Sequence, residues 1–142
     1  MGKVMNFTSQ ISTTKEQSEQ LLALGLKAET ADMCYQIKFY DPFPHNLVYC
    51  APLLLTHPPI DNERFIPAWS LARLLEMLPS FIDIGGFAYM LRIIQGKLFS
   101  YRSDIAGHAL LYGKANVYAS AIYTIKWLIE EGHFNKEYLK EK

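Results

Sequence analysis

The stretch FAYMLRIIQGKLFSYRS, residues 87–103, decides the fold class of this chain. Aromatic and branched side chains lie on both sides of Gln95 and Gly96, which is typical of two β-strands joined by a tight turn. The pattern predicts one strand over 87–94 and a second over 97–103. Strands joined by so short a turn pair antiparallel.

A second hairpin is predicted upstream. Side chains alternate over 33–40, the proline-containing segment 41–46 is typical of a turn, and 47–55 is the expected return strand. Pro52 has no amide hydrogen for a ladder, so we expect this strand to lie at an edge or to bulge there. Residues 57–67 are expected to be a loop.

Helical signals stand before and between the hairpins. Thr13 and Glu16 have the spacing of a capping box, which predicts a helix over about 14–24. Ser70 has the side chain of an N-cap, and the leucines after it repeat at helical spacing up to Pro79. These leucines are expected to be core residues.

The last predicted helix is the most regular of the three. Asn116 caps it, an apolar face runs through 117–131, and Gly132 ends it. The order of elements is therefore α-β-β-α-β-β-α. Hairpins between helices predict the α+β class, with an antiparallel sheet of about four strands packed with helices.

Length and charge indicate a single domain and argue against one class of protein. The chain has 142 residues, and its 14 basic residues balance its 14 acidic ones. This length corresponds to a single domain over 1–142, in which we expect 1–12 and 135–142 to be flexible tails. A protein that binds duplex DNA carries a basic excess because it neutralises phosphates, so the zero net charge argues against that class.

The sequence also gives no sign of a membrane segment, a disulfide or a metal site. No apolar run of signal-peptide length begins the chain, and five prolines interrupt the uncharged stretch 42–60, so we expect no membrane span and a cytoplasmic location. Cys34 and Cys50 are expected to be reduced core residues. The four histidines are scattered, so neither a metal nor a cofactor is expected.

Several capped and apolar segments carry a resemblance to known proteins. They are IPAWSLARLLEMLP at 66–79, TKEQS at 14–18, TADM at 30–33 and WLIEEG at 127–132. Together they resemble small uncharacterised proteins of Bacteroides-type gut bacteria, many of them from prophage or mobile-element regions. The resemblance spans roughly 10–134 and implies an α+β architecture and a phage-like origin. No activity is known for these proteins, so the resemblance assigns no catalytic residue to this chain.

The 87–103 hairpin also supports a hypothesis of nucleic-acid binding. If its turn has two residues, one face holds four cationic and aromatic side chains: Arg92, Lys97, Phe99 and Tyr101. Such a face suits single strands, because bases stack on the rings and phosphates pair with the cations. A three-residue turn would exchange the faces of one strand, and a covering helix would make the aromatic rings core residues.

The proline-rich stretch 42–60 predicts an interaction patch. Its apolar side chains are Phe43, Leu53, Leu54 and Leu55. They predict either an exposed patch or an edge strand open to pairing, with a protein partner or a second copy of the chain. The leading hypothesis is therefore a non-catalytic binding or adaptor protein, and single-stranded nucleic-acid binding is the alternative.

A third hypothesis is a small hydrolase-like enzyme. His57 precedes Asp61 and Glu63, and a carboxylate–histidine pair can perform acid–base chemistry. Ser70 is better explained as a helix cap than as a nucleophile, because no Gly-x-Ser-x-Gly elbow surrounds it. We therefore expect binding rather than catalysis.

Overall fold

A computed structural model describes most of the chain. The described residues are 10–38, 48–49, 53–54, 65–94, 98–103, 105–110 and 116–141. In these ranges the protein is a mixed α+β structure with three α-helices and antiparallel sheets, which confirms the predicted class. The predicted single sheet is not found, because the described strands fall into two sheets.

The three α-helices begin close to their predicted caps. Helix α1 spans Lys15–Ala23, α2 spans Leu71–Met77 and α3 spans Val117–Glu130. Ser70 Oγ accepts the N–H of Arg73 at 3.2 Å at the start of α2. Asn116 Oδ1 accepts the N–H of Tyr118 at 2.9 Å at the start of α3. Both caps are therefore confirmed.

The capping box of α1 lies one residue later than predicted. Thr14 Oγ1 accepts the N–H of Gln17 at 3.1 Å, and Gln17 Oε1 accepts the N–H of Thr14 at 3.0 Å. The hydroxyl of Thr13 lies 2.8 Å from that of Ser18 and accepts the N–H of Trp69 at 3.0 Å. Thr13 is buried because it joins the start of α1 to the strand before α2.

The first sheet is centred on one long strand. Its members are β1 at Met33–Lys38, β2 at Val48–Tyr49, β3 at Leu53–Leu54 and β4 at Phe65–Ala68. Strands β2, β3 and β4 each pair antiparallel with β1, so the predicted upstream hairpin is confirmed in part. Pro52 and the turn at 41–46 lie outside the described residues.

Strand β4 corrects the loop expected over 57–67. Phe65 pairs with Gln36 and Pro67 pairs with Cys34. The pairing partner lies about 30 residues away in the chain, and a segment with a central proline does not look like a strand when it is considered alone. The rest of that expected loop lies outside the described residues.

The second sheet has the order β5-β6-β7-β8 with antiparallel pairs throughout. Its strands are β5 at Phe81–Ile84, β6 at Phe87–Ile94, β7 at Leu98–Ser103 and β8 at His108–Ala109. Strands β6 and β7 were predicted, whereas β5 and β8 were not. Gly85 and Gly86 join β5 to β6 with positive φ angles of 61° and 84°, which suit a two-residue hairpin turn.

The turn between β6 and β7 is longer than predicted. Ile94 pairs with Leu98, so three residues rather than two separate the paired ends. Leu91 pairs with Tyr101, which places these two side chains on the same face. A slip of one residue would move the whole apolar set of a strand to the other face, so the burial of Tyr101 helps to specify this register.

The core lies between α3 and the surrounding elements. Helix α3 contacts β7, α1 and α2. Ile125 and Leu128 on α3 are fully buried, as are Trp69 before α2 and Leu74 within it. The predicted apolar faces of α2 and α3 are therefore core-forming.

Parts of both expected tails pack against this body. Ser12 is buried, and the N–H of Lys140 donates to the carbonyl of Gly25 at 2.7 Å. Leu139 forms an isolated bridge with Leu26. Among the described residues no helix has the length and apolar character needed to cross a membrane.

Candidate functional site

The second sheet has two unlike faces. Its inner face carries Ile82 and Tyr89, which are directly opposite each other and buried. The opposite face, which we call the outer face, has six exposed side chains: Phe81, Asp83, Ala88, Met90, Arg92 and Arg102. Alternation along paired strands brings these six together on one surface.

Two large apolar side chains lie side by side at the β5 end of the outer face. Phe81 and Met90 lie directly opposite each other on β5 and β6 and are 54% and 48% exposed. In the described part of the chain, seven large hydrophobic residues are exposed, and two of them, Phe81 and Met90, share the outer face. Phe87 and Ile93 are exposed in the same sheet but lie on the inner face. Exposed apolar residues concentrated in one region are typical of an interaction site, whereas scattered ones are normal.

Charged groups flank this apolar pair. Arg102 lies opposite Met90, and Arg92 follows Met90 by two positions on the same face of β6. Asp83 follows Phe81 by two positions on β5. The outer face therefore combines an apolar pair with two guanidinium groups and one carboxylate.

The predicted nucleic-acid face does not form as expected. Arg92 lies on the outer face, but Tyr101 lies on the inner face and is fully buried. The O–H of Tyr101 donates to the carbonyl of Pro79 at 2.7 Å, and burial raises the pKa of this phenol. The reason is the three-residue turn, which moves the β7 side chains to the other face relative to those of β6. Lys97 and the side chain of Phe99 lie outside the described residues.

The predicted interaction patch is described only in its backbone. Leu53 and Leu54 form β3, and both pair with β1. Their side chains lie outside the described part of the structure, as do Phe43 and Leu55. The patch therefore stays a prediction.

The residues of the hydrolase hypothesis, His57, Asp61 and Glu63, lie outside the described residues. Cys34 is a free buried thiol whose pKa is raised by desolvation, as expected for a core cysteine, whereas Cys50 is not described. Within the described ranges no group of three or more His, Cys, Asp or Glu residues is placed to hold a metal ion.

Ser70 takes part in a set of hydrogen bonds that joins three parts of the chain. Its N–H donates to Asp32 Oδ1 at 2.9 Å, and its hydroxyl donates to the other carboxylate oxygen of Asp32. Nearby, the O–H of Tyr35 donates to the carbonyl of Thr13 at 2.9 Å. These bonds tie the starts of β1 and α2 to the segment before α1, so Ser70 has a structural role at a cap.

A groove of about 550 Å³ lies between α1 and α3. It is lined mainly by Gln17, Gln20, Leu24, Ile122, Tyr123 and Lys126. The amide of Gln17 already bonds to Thr14 and Gln10 within the protein. Because the carbonyl oxygen of that amide already accepts two bonds, we regard the outer face of the second sheet as the stronger candidate for recognition.

Comparisons with protein families, with curated proteins and with solved structures give no match for this chain. The resemblance to proteins of bacterial mobile elements therefore stays a prediction.

The outer face was missed because β5 was missed. The signal was nonetheless present, since Gly85 and Gly86 stand between FIDI and FAYM, and a Gly-Gly pair between apolar segments is a hairpin signal. Recognition of that hairpin would have paired Phe81 with Met90. The face of Tyr101 depends on a different feature, the register between β6 and β7.

Proposed function

We propose that this protein is a non-catalytic binding or adaptor protein, and that the outer face of its second sheet contacts a protein partner. The observation that carries the proposal is the pair formed by Phe81 and Met90. These side chains would each gain free energy by leaving water, yet about half of each is exposed. Burial against a partner would remove that cost.

The charges around the pair indicate the chemistry of the partner. Arg92 and Arg102 lie on the outer face beside the apolar pair, whereas Asp83 supplies one negative charge. Protein interfaces commonly have an apolar centre within a polar rim, and arginine is enriched in them. A complementary surface has an apolar centre and a mostly acidic rim.

Comparative affinity capture tests this proposal. Immobilised wild-type protein is expected to retain a partner from a lysate of its source cells, and the double variant Phe81→Ser, Met90→Ser is expected to retain at least about tenfold less. Tyr123→Ser is the matched control, because Tyr123 is also exposed but lies on α3. Equal retention by all three proteins would contradict the proposal.

Single-stranded nucleic-acid binding is the second candidate function. It is favoured by one observation, the presence of Phe81, Arg92 and Arg102 together on the outer face. An aromatic ring can stack on a base, while guanidinium groups pair with phosphates. This candidate uses the opposite face of the 87–103 hairpin from the buried Tyr101.

Fluorescence anisotropy with a labelled oligothymidylate tests the second candidate. If two phosphates are neutralised, the association constant is expected to fall about sevenfold between about 50 and about 200 mM salt. The double variant Arg92→Gln, Arg102→Gln should lose most of this salt dependence. Wild-type protein that does not bind the oligonucleotide at low salt rules this candidate out.

The remaining hypotheses stay predictions. A mobile-element origin rests on the resemblance, and the cytoplasmic location rests on sequence patterns. The hydrolase hypothesis rests on His57, Asp61 and Glu63, which lie outside the described residues.

A further inference from the structure

Strand β5 is a terminal strand of the second sheet, and its hydrogen-bonding pattern can be worked out. The N–H of Leu91 donates to the carbonyl of Ser80 at 2.9 Å, and the register places these two residues opposite each other. In an antiparallel ladder, bonded and non-bonded pairs alternate. Ile82 is therefore bonded to Tyr89 across the ladder.

The same alternation determines which groups face the free edge. Phe81 and Asp83 belong to the non-bonded pairs, so their N–H and C=O groups point away from β6. No described strand pairs with that side of β5. The edge thus presents two donor–acceptor sets two residues apart, which is the template for an added strand.

The side chains of these two residues lie on the outer face. Phe81 is exposed and apolar, and Asp83 is exposed and negatively charged. A strand added beside β5 would place alternate side chains next to them. Complementarity therefore requires an apolar residue beside Phe81 and a basic residue two positions away, beside Asp83.

We propose that the β5 edge binds an extended segment of a partner protein, in which an apolar and a basic residue stand two positions apart. The segment adds to the second sheet as a further strand. This inference rests on the proposed function, because it describes how part of a protein partner would dock beside the outer face.

A second copy of this chain fits the edge less well. A two-fold antiparallel pair centred on Ile82 would place Phe81 opposite Asp83, and one centred on Asp83 would place two like charges opposite each other. A pair centred on Phe81 would set Asp83 opposite Pro79, which has no N–H for the ladder. Each register lacks the complementarity that a basic partner segment supplies.

A synthetic peptide can test the proposal directly. The probe is the fluorescein-labelled peptide Ser-Thr-Lys-Val-Ile-Val-Thr-Ser, which in antiparallel register sets its lysine beside Asp83 and its isoleucine beside Phe81. A matched peptide carries glutamate in place of lysine. We expect wild-type protein to bind the lysine peptide at least about tenfold more tightly, and Asp83→Lys to reverse the preference, in anisotropy titrations.

Two N-methylated peptides test the main-chain contacts. Methylation of the isoleucine nitrogen removes an N–H that points at β5, so binding should be lost. Methylation of the valine nitrogen just before it removes an N–H that points away, so binding should be kept. Equal binding of the two methylated peptides would overturn the proposal, as would failure of the lysine peptide to bind wild-type protein.

The outcomes separate this inference from the proposed function. If a partner is retained through Phe81 and Met90 but the peptides do not bind, the proposed strand addition at the β5 edge is wrong. The same result would support partner binding at the outer face. If light scattering shows that the wild type is a dimer and Asp83→Lys is a monomer, the β5 edge pairs with a second copy of the chain. That result would overturn the proposal that it binds a segment of another protein. The reversal of preference in Asp83→Lys also shows that this variant is folded.

Discussion

Replacing Trp69 with alanine is expected to lower the free energy of unfolding by about 3–5 kcal/mol. Trp69 is among the largest fully buried side chains of the described structure. Its indole N–H donates to Thr30 Oγ1 at 2.9 Å, so the variant loses both apolar burial and a hydrogen bond. The backbone N–H of residue 69 donates to Thr13 Oγ1 and its carbonyl accepts the N–H of Thr13, which limits collapse around the cavity that remains.

Urea denaturation measures this effect. The midpoint should fall while the slope stays unchanged, because the variant alters the stability of the native state rather than the surface exposed on unfolding. Trp127 remains as the fluorescent probe. Phe81→Ala is the matched control, because it truncates an exposed aromatic residue and should cost only about 0.5 kcal/mol. A similar loss in both variants would contradict the assignment of Trp69 to the core.

Elements with strong local signals could be predicted from the sequence. Ser70 and Asn116 cap α2 and α3 because each side chain accepts a first-turn N–H, an interaction that depends only on neighbouring residues. Strand β6 was predicted with its observed bounds, since a mostly apolar segment with aromatic and branched residues lies between Gly85-Gly86 and Gln95-Gly96. Such local interactions can be recognised without knowledge of the rest of the fold.

Elements created by distant pairing could not be predicted in this way. Strand β4 contains Pro67 and becomes a strand because β1 pairs with it. Strand β8 has only two residues and forms a ladder with the end of β7. Each depends on a partner that the local pattern does not contain.

The composition of the predicted binding face depended on a shift of one residue in the pairing of β6 with β7. Residues 87–103 were recognised as a hairpin, and Arg92 was recognised as a candidate residue. The turn length decided whether Arg92 shares a face with Tyr101 or lies opposite to it, because side chains alternate with a period of two. Core packing of Tyr101 against Trp127, whose ring centroids are 6.4 Å apart, favours the second arrangement, and composition could not reveal it.

Replacing Tyr101 with phenylalanine is expected to destabilise the protein by about 1–3 kcal/mol at neutral pH. The ring and its packing against Trp127 are kept, but the O–H that donates to the carbonyl of Pro79 at 2.7 Å is lost. The carbonyl at the end of α2 then loses its donor. Urea denaturation of the two proteins measures the difference, and a loss below about 0.5 kcal/mol would mean that water replaces the phenol.

The same pair of proteins also differs in its response to alkaline pH. Burial raises the pKa of Tyr101 above its ordinary value of about 10, so the folded protein keeps a proton that the unfolded chain releases. The contribution of this phenol to the free energy of unfolding is fully present below a pH of about 10. It is lost as the pH rises toward the folded pKa, by up to about 1.4 kcal/mol per pH unit. Burial also raises the pKa of Tyr118, which acts in the same direction in both proteins. The wild type should therefore lose stability more steeply than Tyr101→Phe above this pH, and equal slopes would show that the Tyr101 phenol ionises in the folded state as it does in water.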